Sequence, residues 1–165
     1  MGGTTFESLK YSTAKVFAVE SSHEWLNHMK KWSFIRKNIQ NGRLKCLYID
    51  IGKTKDWGFP VDNSSKDRFP KYSNVLSDKN VSKHIDVVLI DGRFRVACGL
   101  NTILNCSNNT IIMIHDFPSR KYYHVLLKYL DTVETAGELC VFKIKNKIIK
   151  ESVERDYENY KYNSD

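Results

Sequence analysis

Apolar and polar positions change their period several times along this chain. Two stretches are continuously apolar. Ile85-Asp86-Val87-Val88-Leu89-Ile90 stops at Asp91-Gly92, and Thr110-Ile111-Ile112-Met113-Ile114 stops at His115-Asp116. Such β-branched runs predict strands buried on both faces, as in parallel sheets. Val16-Phe17-Ala18-Val19 ends the same way at Glu20, and the apolar run from Leu44 to Ile49 is closed by Asp50. Between these runs the period becomes helical. Trp25, Met29, Trp32, Ile35 and Ile39, entered through a Ser21/Glu24 capping box, predict one helix over 22–40 whose tryptophans face the core. Val96, Leu100, Ile103 and Leu104 predict a helix over 95–106, and Tyr123, Leu126, Leu127 and Leu130 another. A short helix over 6–11 precedes them all. Alternating strands and helices specify an α/β fold with a mainly parallel sheet and helices on both faces. After the Ala136-Gly137 turn, 138–144 reads as a closing strand, with 131–135 as its antiparallel partner.

The periodicity fails from Gly52 to Asn80, where Gly, Pro, Ser, Asn and Asp accumulate. A loop this long in a compact domain is usually functional or disordered. Trp57-Gly58-Phe59-Pro60 within it points to an ordered lid or a packed hook. One domain is expected over 1–146, with 147–165 a polar tail, marginally helical or disordered.

Composition narrows the class. The 165 residues suffice for one domain with a real core, and 41% hydrophobic with 27% charged residues is ordinary for a globular protein. No apolar run approaches the ~20 residues of a membrane span, and the N-terminus lacks a signal-peptide pattern. A cytoplasmic location without membrane association is therefore expected. Cys46, Cys98, Cys106 and Cys140 are scattered and read as reduced thiols, not disulfides or a zinc site. The net charge of +7 is spread through interleaved lysines and acids, so a nucleic-acid partner is not indicated.

Four apolar runs end in an acid: Glu20, Asp50, Asp91 and Asp116. Parallel strands put such residues on one rim, where α/β sheets bind ligands. Glu20 suits the hydroxyls of a ribose, or else favours the N-terminus of the helix that follows it. Asp91 and Asp116 suit a hard cation such as Mg²⁺, and His115 suits a general base. Helix capping by Asp116, with His115 packed beneath, is the competing explanation. Arg93 and Arg95 either clamp an anionic substrate or neutralise the rim carboxylates.

The order Gly-Gly-Thr-Thr, Val-Phe-Ala-Val-Glu-Ser, Tyr-Ile-Asp-Ile-Gly, Asp-Gly-Arg-Phe-Arg-Val-Ala-Cys and Ile-His-Asp-Phe resembles class I S-adenosylmethionine-dependent methyltransferases. More narrowly, it resembles a methyltransferase-like group that carries the Asp-Gly-Arg-Phe-Arg-Val-Ala-Cys and Trp-Gly-Phe-Pro signatures. The resemblance runs from Gly2 to about Lys145. It implies a Rossmann-like sheet, S-adenosylmethionine as cofactor, and transfer of a methyl group to an oxygen of a small or carbohydrate-like acceptor. By the same resemblance Gly2 and Gly3 lie in the loop under the cofactor's methionine, Glu20 holds the ribose, and Asp50 with Ile51 contacts the adenine. Asp91, His115 and Asp116 match rim residues that bind metal or substrate, the third metal ligand having no clear match. The first strand of that fold and its acidic-Gly-x-Gly start have no counterpart before Gly2. A non-catalytic binding module, or a fragment, that has lost cofactor binding is therefore the alternative. Unpaired strand edges then lead one to expect self-association.

Overall fold

The computed structural model describes residues 2–165. Contacts divide the chain into two units, one through Val61 and one from Asp62 to Asp165.

The first unit contains α1 (Gly3–Tyr11), β1 (Val16–Glu20), α2 (His23–Lys30), α3 (Ser33–Gln40) and β2 (Leu44–Tyr48). The strands are parallel and in register from Val16 against Leu44 to Glu20 against Tyr48. Parallel strands need a crossover, which α2 and α3 supply. Leu9, Ala18, Met29, Ile35 and Leu44 form the core between these elements. Arg43 fastens the α1–β1 connection, its guanidinium donating to the carbonyls of Leu9 (3.2 Å) and Ser12 (2.8 Å).

Two expectations for this unit need correction. The predicted helix over 22–40 is two helices, because Trp32 is extended (ψ 125). The carbonyls freed at the end of α2 are met from the next helix, Arg36 Nη1 donating to Lys31 O at 2.7 Å. The cap of α2 is Ser22, not Ser21; its hydroxyl accepts from Trp25 N at 3.1 Å. The break also changes which face Trp25 and Trp32 occupy. Both are nearly half exposed, whereas Met29 and Ile35 fill the core.

The second unit begins where the sequence predicted a long loop. That stretch folds into short helical turns, among them α4 (Pro70–Ser73) and α5 (Lys79–Ser82). Then come β3 (Val87–Ile90), α6 (Arg95–Asn105), β4 (Ile111–His115), a 3-10 helix over Lys121–Lys128, β5 (Leu130–Ala136), β6 (Leu139–Ile144) and α7 (Lys150–Tyr160). The sheet order is β3-β4-β6-β5. β3 and β4 are parallel, and β6 runs antiparallel to both β4 and β5. Leu130, expected in a helix, opens β5.

The core lies on one face of this sheet. Ile90, Ile112, Ile114 and Phe142 meet Val96, Leu100 and Ile103 of α6, together with Tyr123 and Leu126. Val153 of α7 joins them with no exposed surface. The segment expected as a polar tail is therefore a packed helix. β3 also departs from expectation. It reads as a strand covered on both faces, yet among the described residues β4 is its sole sheet neighbour, and Val87 and Leu89 are 55% and 37% exposed.

All four cysteines are free. Burial pushes the Cys98 thiol up to about 12 and that of Cys106 up to about 11, so neither is a thiolate near neutral pH. No helix among the described residues is long and apolar enough to cross a membrane.

Candidate functional site

The richest chemistry in the second unit gathers at the carboxyl ends of β3 and β4. Their register sets Ile90 against Ile114. One residue further, Asp91 and His115 leave adjacent strands together, and Asp116 follows. Asp116 is left-handed (φ 59), an uncommon conformation that Asp tolerates better than most residues. It carries the carboxylate back toward the rim.

Arg95 organises the cluster from below. It opens α6, and its side chain is almost fully buried. Nε donates to Gly92 O at 3.0 Å. Nη1 donates to His115 O at 2.6 Å and to Asp116 Oδ2 at 3.0 Å, and Nη2 to Asp91 O at 3.3 Å. The same Nη2 lies 3.6 Å from Asp91 Oδ1. One guanidinium thereby ties both strand ends together, using the rigid fork that lysine lacks.

His115 is half-exposed above this layer. Its Nδ1 is 2.8 Å from Asp116 Oδ1 and 3.5 Å from Asp91 Oδ1. An imidazole nitrogen facing two carboxylates carries the proton, which leaves the lone pair on Nε2. Asp116 thus fixes the direction of the His115 ring. Arg120, a residue the sequence reading missed, adds Nε at 3.5 Å from Asp116 Oδ2. Its only signal was its position four residues after Asp116, on the same side of a helical turn.

Burial raises the Asp116 carboxyl, but the opposing attraction of Arg95, His115 and Arg120 is larger. Together they hold it below the ordinary carboxylate value. The sign follows directly. A depressed folded value adds stability above the unfolded value of about 3.9, and that stability disappears as pH falls through the folded value. The urea midpoint of the wild type should therefore fall steeply below about pH 4. Asp116→Asn should start lower at pH 7 and fall less; equal slopes for the two proteins would refute the assignment.

These bonds also decide whether a cation fits. Asp116 Oδ1 is taken by His115, and its Oδ2 by Arg95 and Arg120. Among the described residues no three His, Cys, Asp or Glu side chains converge to hold a metal ion. The donor set present does not fit Mg²⁺. Arg93 and Arg95, considered as a substrate clamp, are both buried, and the Arg93 guanidinium is lowered by that burial and by the like charge of Arg95. Arg120 is the more exposed arginine of this rim.

Gly92 and Phe94 fix the connecting turn. A methyl group at Gly92 would collide with the Tyr72 hydroxyl. Phe94 adopts φ 55 and is fully buried, its ring 5.4 Å from Phe69 and 5.6 Å from Tyr72. A bulky residue with positive φ is held only where packing over-determines it.

The rim of the first unit is built differently. Glu20 Oε1 accepts from Ser21 N (2.9 Å) and Ser22 N (2.8 Å). The carboxylate therefore supports the entry to α2, as the competing explanation required, and is also fixed in direction. Asp50 Oδ1 accepts from Gly52 N at 2.9 Å. Ile51 is fully buried, so its side chain serves the core. Gly2 and Gly3 lead into α1, and a methyl group on either would meet nothing within 4 Å.

Neither a family model nor a curated protein matches this chain. A solved structure does: that of a methyltransferase-like protein from Silicibacter pomeroyi DSS-3, with a TM-score of 0.74 and 28% sequence identity. The match covers 91% of this chain and 77% of that one. The fold is methyltransferase-like. The likeness extends to sequence as well as shape.

Proposed function

We propose that the protein is an S-adenosylmethionine-dependent methyltransferase acting on a hydroxyl oxygen of a small or carbohydrate-like acceptor. The observation that carries this reading is the Asp116–His115 pair on the rim, in a chain similar to a methyltransferase-like protein. The residues of the first unit suit the cofactor. The open space over Gly2 and Gly3 admits close approach of a ligand to the backbone. The Glu20 carboxylate, held by two amides, suits a ribose diol. When bound, S-adenosylmethionine supplies an electrophilic methyl group.

The chain's own residues would do the rest. His115 Nε2 would take the proton of the acceptor hydroxyl, raising the oxygen's nucleophilicity. Asp116 would hold the ring and stabilise the imidazolium that forms, while Arg95 and Arg120 keep Asp116 ionised. Asp91, half-exposed and 3.5 Å from His115 Nδ1, would accept from a second acceptor hydroxyl. Deprotonation by a carboxylate–histidine pair, without a cation, is the chemistry this donor set supports.

The alternative, a non-catalytic binding module, is favoured by one feature: the Glu20 carboxylate is already engaged by the amides that open α2. Calorimetry with S-adenosylhomocysteine, paired with methyl transfer from labelled S-adenosylmethionine to pooled sugars and phenols, separates the readings. The enzyme reading expects binding that weakens about tenfold in Glu20→Ala, and transfer that drops ~100-fold or more in His115→Ala. Binding without transfer to any acceptor supports the module. Absence of both sinks the cofactor assignment.

A further inference from the structure

Beyond Asp50 the chain leaves the rim of the two-stranded sheet and forms a small hairpin. Lys55 N donates to Phe59 O at 2.8 Å, Gly58 N to Lys55 O at 3.0 Å, and Val61 N to Lys53 O at 3.0 Å, while Thr54 pairs with Pro60. Both limbs are tied, so this is a frame and not a slack loop. At its tip Trp57 has φ 61 and ψ 16, and Gly58 follows with φ 76. Two successive left-handed residues, closed by Phe59 N donating to Asp56 O at 3.5 Å, make a type I′ turn.

Such a turn asks for Asn-Gly or Gly-Gly. A tryptophan in the first position is strained, since its Cβ crowds the backbone there. It is also 88% exposed, more than any other large apolar residue described. Asparagine would satisfy the turn without the strain and without the exposed indole. Nothing in the folding of the hairpin uses this side chain. A rigid frame holding a flat apolar surface out in solvent, at a strained position, is the pattern of a contact kept for a ligand.

We propose that Trp57 is a stacking plate for the base of a nucleoside bound at the rim of the β1–β2 sheet. The inference rests on the cofactor reading above and adds the residue that would grip the ring. Glu20 closes β1 on the rim from which the hairpin departs; its carboxylate is fixed through Oε1 by two amides, and such an acid at a strand end suits a ribose diol. An indole face is the protein surface best suited to a purine ring. The competing occupant is an anionic lipid surface, for which Lys53 and Lys55 speak. Asp56, adjacent to Trp57 at the tip, would be repelled by it, so the nucleoside is favoured.

The chain has three tryptophans, so a Trp25→Phe/Trp32→Phe background leaves Trp57 as the sole indole reporter. S-adenosylhomocysteine is expected to quench its emission, and adenosine to do so at higher concentration. Calorimetry on the otherwise intact protein should show Trp57→Ala weakening S-adenosylhomocysteine about tenfold or more, with Trp57→Phe recovering most of the loss. Trp57→Gly serves as the folding control. It suits the turn better, so its melting temperature should equal or exceed that of the wild type while its affinity falls like that of Trp57→Ala. S-adenosylhomocysteine binding with unchanged Trp57 emission and an unchanged affinity in Trp57→Ala would overturn the stacking role and leave the cofactor reading standing. No heat and no emission change would overturn both. A blue shift on phosphatidylserine vesicles, without response to nucleosides, would replace the proposal with a membrane anchor.

Discussion

Arg95→Ala is expected to cost the second unit about 3–5 kcal/mol, a large part of an ordinary domain's stability. The reason lies in what the truncation leaves behind. The guanidinium serves the carbonyls of Asp91, Gly92 and His115 and the carboxylate of Asp116, and it lies within ion-pair distance of Asp91. Alanine would leave the carbonyls of Asp91, Gly92 and His115 without this donor and would take the buried cation from beside the Asp91 and Asp116 carboxylates, which keep only His115 and, for Asp116, Arg120. An unsatisfied buried group forfeits its whole desolvation term, which exceeds the net worth of the bond it lost. Arg95→Lys should restore only a minor part, because a single ammonium cannot reproduce a fork aimed at four acceptors. Urea denaturation of the three proteins tests this. A loss below about 1 kcal/mol in Arg95→Ala would show that the network follows the fold instead of holding it.

The four parallel-type strands were legible because each apolar run ends abruptly at an acid, and the observed strands fall within two residues of those runs. Strand register then brings Asp91 beside His115, a proximity that the two separate motifs could only suggest. Other features were beyond the reach of pattern. Helix periodicity continues through Lys31 and Trp32, so nothing local announces the break; it depends on Arg36 reaching back to the carbonyl of Lys31. The exposure of Val87 and Leu89 depends on which strands are neighbours, and composition does not encode that. Likewise the partners of Arg95 are mostly backbone carbonyls, which have no sequence signature. The left-handed Trp57 was hidden for the opposite reason. Turn chemistry argues against an aromatic there, so only the fold reveals it.

The polar segment after Lys147 supplies the second large effect, because its composition conceals its packing. Removing residues 148–165 is expected to leave the second unit largely unfolded. Val153 is fully buried among the residues that cover the sheet. Asp156 accepts from Lys128 Nζ at 2.9 Å and from Tyr129 Oη at 2.8 Å, and the Tyr157 hydroxyl is 3.1 Å from Ser73 Oγ. Most positions of α7 are polar because the helix shows the core only a narrow stripe, and that stripe is occupied. The segment also reaches the site. Phe94 N and Arg95 N, which have no acceptor within α6, donate to the main-chain oxygens of Ser164 and Asp165, each at 3.4 Å. Loss of the segment should therefore loosen the turn that places Arg95, and with it the Asp116–His115 pair. Val153→Asp tests the packing alone, at a cost on the order of 4 kcal/mol or more for an unpaired buried charge. Removing only 162–165 tests the connection to the rim. It should leave most of the stability intact yet change the chemical shift of His115 in NMR spectra. If the longer deletion melts like the full chain, the helix is an ornament on the unit and the rim stands without it.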